Sequence, residues 1–117
     1  MEIRDLLLLC IEKKASDLHI TNNEPPILRI DGKLVRTELA LLDKQELKKM
    51  VYSILTNPQK EVFERDLELD FSFASPDLDR FRVNIHIQRG SVEAAFRRVP
   101  LVIPKMEELG LPAVAMD

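Results

Sequence analysis

The chain is poor in cysteine and glycine and carries no long apolar run, and each shortage removes a class of protein. The single Cys10 among 117 residues excludes an internal disulfide framework and fits a reducing, cytoplasmic setting. Three glycines, Gly32, Gly90 and Gly110, are too scattered to cradle a nucleotide, and no G-x-x-x-x-G-K-[ST] pattern occurs. The chain alone therefore cannot hydrolyse a nucleotide. The apolar run from Leu6 to Ile11 is six residues long, against the roughly twenty that a membrane span needs, and it lacks a cleavage-site pattern. Cys10, His19 and His86 fall on separate elements without ligand spacing, so no metal site is expected.

What remains is an ordinary globular balance, 45% hydrophobic and 32% charged, in a length that suits one domain able to bury its own core. A formal charge of −3 argues against a general nucleic-acid binder. Basicity is local instead: between Asp79 and Val99 five arginines meet only two acids, Asp79 and Glu93.

Periodicity orders the elements. Ile3, Leu6, Leu7, Cys10 and Ile11 form the stripe of an N-terminal amphipathic helix. Residues 17–21 alternate as a half-buried strand. Residues 27–37 fold back at Asp31-Gly32, a strong hairpin signal because both central positions favour positive φ. A helix is expected from about Lys44 to Leu55 with Asp43 as its cap, and a second from Asn57 to near Arg65, capped by Asn57 with Pro58 as its first residue. Leu67, Leu69, Phe71 and Phe73 then alternate with polar residues, as do Phe81, Val83, Ile85 and Ile87, and Val92, Ala94 and Phe96. From Val99 onward prolines and Gly110 mark a linker. The fold class is α+β, a mostly antiparallel sheet of about five or six strands with helices on one face.

A two-residue loop at Arg89-Gly90 sets Gln88 opposite Ser91 and, further along, Arg82 directly opposite Arg97 on the outer face. Like charges so placed repel. Two guanidinium forks held together suit a phosphate or carboxylate, supplied from elsewhere. The plain alternative is that each arginine pairs across strands with an acid such as Glu68 or Asp70. Ser16, Asp17 and His19 do not make a triad, because neighbours on an extended strand cannot align nucleophile, base and orienter. RNA reading is disfavoured, since Phe71, Phe73, Phe81 and Phe96 all take the core parity rather than an exposed stacking face.

The segments ASDLHIT, PPILRIDGKL, LELDFSF, RFRVN, QRG, AFRRVP and LGLP occur in this order. Together they resemble the N-terminal domain of type IV pilus retraction ATPases, within the type II/IV secretion ATPase family, over nearly the whole chain. The resemblance implies a PAS-like domain over residues 1–99 and a linker over 100–117 leading to a RecA-like ATPase domain of the same or a neighbouring subunit. It also implies a cytoplasmic homo-hexamer, peripheral at the inner membrane, that uses ATP and Mg, contacts a platform protein and binds no nucleic acid. On this resemblance Arg82 and Arg97 correspond to arginines that reach the nucleotide phosphates, with Arg89 and Arg98 as helpers. Asn22-Asn23-Glu24 departs from the family loop, where a glycine is expected, and His86-Ile87 replaces an asparagine-rich stretch. A start at Met1, directly on the helix, favours the retraction type. Two other readings stand beside this one: a freestanding sensor for a small acidic ligand, and an assembly domain whose arginines meet a partner's carboxylates.

Overall fold

The computed structural model describes residues 2–75 and 78–99. The expected linker, 100–117, lies outside them. Helix α1 (Ile3–Glu12) leads into β1 (Asp17–Ile20), then the hairpin of β2 (Ile27–Ile30) and β3 (Lys33–Arg36). Helices α2 (Lys44–Tyr52) and α3 (Asn57–Asp66) follow, then β4 (Glu68–Ser75), β5 (Leu78–Gln88) and β6 (Ser91–Val99). The strands form one six-stranded sheet, ordered β3-β2-β1-β6-β5-β4, with every neighbouring pair antiparallel. This is the expected α+β class.

The helices cover one face. Ile3, Leu6, Leu7 and Cys10 of α1, Leu47, Met50 and Val51 of α2 and Phe63 of α3 join Leu18, Ile20, Val83, Ile85, Ala94 and Phe96 in a single core. Strand parity produces this division, because residues two apart point the same way and the alternate positions are left on the open face. Cys10 is fully buried, and loss of water pushes its thiol up to about 11. It therefore stays a protonated packing residue at neutral pH.

Local chemistry sets the element ends. Asp43 accepts from the Glu46 N–H at 2.8 Å and starts α2 as expected, but α2 stops at Tyr52, where the Ser53 hydroxyl donates to the Met50 carbonyl at 2.6 Å. The cap of α3 is Thr56, not Asn57. Its hydroxyl accepts from the Gln59 N–H while the Gln59 side chain accepts from the Thr56 N–H, a reciprocal pair that satisfies two otherwise unbonded donors. Leu67, expected as the first core residue of β4, is 55% exposed. It takes the left-handed conformation at φ 63° and closes α3 by donating to the Phe63 carbonyl. Leu69, Phe71 and Phe73 are only half-buried because β4 is an edge strand.

Candidate functional site

The turn joining β5 to β6 determines the site's geometry. Arg89 and Gly90 have φ of 52° and 78°, the paired positive values whose twist matches two antiparallel strands. Gln88 faces Ser91, and the register runs without interruption to Arg82 opposite Arg97 and Arg80 opposite Val99. Neither a bulge nor a longer loop offsets the pair.

Cross-strand pairing extends this row over five strands. Ser72 of β4 faces Arg82, Arg82 faces Arg97, Arg97 faces Asp17 of β1, and Asp17 faces Arg29 of β2. All lie on the face that the helices leave open. The countercharge in the row is thus Asp17, rather than the Glu68 or Asp70 that the plain alternative offered. Asp70 accepts from the Asn84 amide at 3.0 Å, and Glu68 stands opposite His86. The Asp17 carboxylate is 4.0 Å from the Arg97 guanidinium, 3.9 Å from Arg29 and 3.9 Å from His19. Arg97 is 73% exposed while Asp17 is only 13% exposed, measured on the side chains. Among the described residues Arg82 has no ion pair. It borders a shallow hollow of about 420 Å³ with Asp70, Ser72, Arg80 and Val99.

The other two candidate arginines stand apart. Arg98 takes the opposite parity, facing Phe81 on the helical side, and its guanidinium is engaged: 3.0 and 2.8 Å to Asp79 and 3.3 Å to the Ala15 carbonyl. Arg89 sits exposed at the turn, seven residues beyond Arg82 and hence roughly 23 Å along the strand. The structure therefore brings Arg82 and Arg97 together and separates Arg89 and Arg98 from them. Asp17 is the acid of the row, and sequence reasoning assigned it no part in the site, because its pairing with Arg97 joins residues eighty apart in the chain.

Chemically the row is a fixed electrostatic device. Guanidiniums remain charged at all working pH values and present planar donors that match phosphate or carboxylate oxygens. Among the described residues no group of three His, Cys, Asp or Glu is placed to hold a metal ion, and no helix is long and apolar enough to cross a membrane. A second hollow, about 520 Å³, opens on the helical side among Ile3, Met50, Ile54, Phe73 and Leu78, across the sheet from the arginines.

Fold and site define a class: a six-stranded α+β domain whose helices all lie on one face and whose open face carries opposed arginines. Comparison with known proteins gives the family. The type IV pilus retraction ATPase PilT of Pseudomonas aeruginosa is 40% identical over 114 residues, covering 97% of this chain and 33% of that protein. The type IV pilus ATPase PilU of the same organism is 32% identical, with 97% of this chain and 30% of that protein covered. A crystal structure of the pilus retraction motor PilT with bound ADP superposes with a TM-score of 0.86 at 37% identity, over 96% of this chain and 33% of that one. The ATPase DotB of Legionella pneumophila shares the fold, at a TM-score of 0.71 and 24% identity over 94% of this chain and 32% of that one. No protein-family model matches. The chain is an N-terminal domain of the PilT-like secretion ATPases, and it spans about a third of the length of the relatives it matches.

Proposed function

We propose that this chain is the regulatory, nucleotide-sensing domain of a pilus retraction motor ATPase, and that Arg82 and Arg97 reach the phosphates of ATP bound by a RecA-like domain. The reading rests on one observation above all, the direct cross-strand opposition of two arginines on an open face, with Arg82 free of any ion pair among the described residues. The similarity to PilT supports the choice of phosphate as the anion. In the full-length assembly, a cytoplasmic homo-hexamer at the inner membrane, the catalytic domain holds ATP and Mg. The arginines stabilise charge on the γ-phosphate as it passes to water, and its loss on hydrolysis weakens their grip. Closing and opening of the two domains then converts turnover into pilus retraction and twitching motility through the platform protein. Arg98, tied to Asp79, and Arg89, at the remote turn, take no part in this contact.

The test is ATP hydrolysis by the full-length protein. Arg82→Ala and Arg97→Ala each lower kcat by about a hundredfold or more, the scale of losing a positioned cation from a phosphoryl-transfer site. Urea melts of the same variants stay close to those of the parent. Wild-type turnover in both variants overturns the reading.

A further inference from the structure

Two arginine–acid contacts on this sheet differ in kind. Arg98 and Asp79 are locked at 2.8 and 3.0 Å, whereas Asp17 stands 3.9 to 4.0 Å from Arg97, Arg29 and His19 and is within hydrogen-bond length of none of these three. A carboxylate shared in this way is committed to no single partner. The Nε2 of His19, 3.9 Å from the Asp17 carboxylate, is buried without a hydrogen-bond partner, so an unused polar atom stands beside Asp17. Arg97, by contrast, is mostly in solvent and faces Arg82 on its other side.

We propose that Asp17 is a positioning residue for the phosphate site: it holds Arg97 back when no phosphate is present and gives it up when one arrives between Arg82 and Arg97. The inference rests on the phosphate reading above. Its physical basis is an exchange of partners. An incoming phosphate competes with Asp17 for one guanidinium, and Asp17 is left near Arg29 and His19 rather than buried alone. Releasing Arg97 therefore does not carry the large cost of an orphaned charge. The same competition lowers affinity for every anion, so that one able to engage both Arg82 and Arg97 is favoured.

The experiment measures the affinity of the full-length protein for a non-hydrolysable ATP analogue and for ADP, by fluorescence titration. Asp17→Asn keeps the side chain's shape and frees Arg97. It tightens the analogue by about fivefold, the scale of one exposed ion pair, and ADP by less. Arg29→Gln leaves Asp17 with Arg97 as its main countercharge and weakens the analogue. General damage to the sheet would weaken binding in both variants, so the opposite signs are diagnostic. In an Arg97→Ala background the Asp17→Asn effect vanishes. Persistence of that effect without Arg97, or weaker binding in Asp17→Asn, overturns the proposal. If Arg82→Ala weakens the analogue while Asp17→Asn leaves it unchanged, only the role of Asp17 fails. If Arg82→Ala and Arg97→Ala both leave it unchanged, the phosphate reading fails with it.

Discussion

Arg97 and Arg98 are consecutive in β6 and point to opposite faces, and this alternation gives two chemically identical side chains different work. Arg98 ties the sheet to the loop after α1, through Asp79 of β5 and the Ala15 carbonyl. Its side chain and that of Asp79 are about three-quarters buried, at 25% and 27% exposure, so their attraction is less screened than that of a surface pair. Removing one partner also leaves the other's hydrogen-bonding groups unmet. Arg98→Ala is expected to lower the domain's stability by about 1–2 kcal/mol in urea unfolding. It leaves the open-face row in place. A stability loss no larger than that of Arg82→Ala would show that the Arg98 contact contributes nothing beyond an ordinary surface ion pair.

At the scale of elements, the β5–β6 hairpin shows why part of the site was legible in the sequence. A two-residue loop fixes register at Gln88 and Ser91, and a period of two carries that register six residues along each strand to Arg82 and Arg97 without further information. Gly90 is the residue on which this depends. Its φ is 78°, and a Cβ added there would meet only the Lys44 Nζ at 3.5 Å, so the cost of a side chain is one of backbone conformation rather than of space. Gly90→Ala should therefore cost about 1–2 kcal/mol, seen as a lower urea midpoint with the fold retained. Asp17 was not legible in the same way. Its place beside Arg97 depends on β1 pairing with β6 across most of the chain, and no local spacing encodes that contact. The helix ends show a third case. Asn57-Pro58 and Thr56-x-x-Gln59 offer competing start signals one residue apart, and the reciprocal hydrogen bonds of Thr56 and Gln59 decide between them. Leu67 fits the strand's alternation, yet the left-handed closure of α3 takes it first.

For the molecule as a whole, the two faces of the sheet separate packed core from exposed charge, and Phe96 and Arg97 test that division at adjacent positions. Phe96 is fully buried between Leu18 and Val83 on the neighbouring strands, at the centre of the sheet under the helices. Phe96→Ala opens a cavity there and is expected to cost about 3–5 kcal/mol, a large part of the roughly 5–15 kcal/mol that holds a domain folded. Arg97→Ala removes a mostly exposed side chain whose acid keeps two other neighbours, so its cost is expected to stay within about 0.5 kcal/mol. Urea denaturation of the parent, Phe96→Ala and Arg97→Ala measures both. The expected order is a strongly lowered midpoint for Phe96→Ala and an almost unmoved one for Arg97→Ala. If the Arg97 variant instead melted as early as the Phe96 variant, Arg97 would be holding the sheet together, and any loss of ATP hydrolysis measured for it in the full-length protein would report on folding rather than on contact with phosphate.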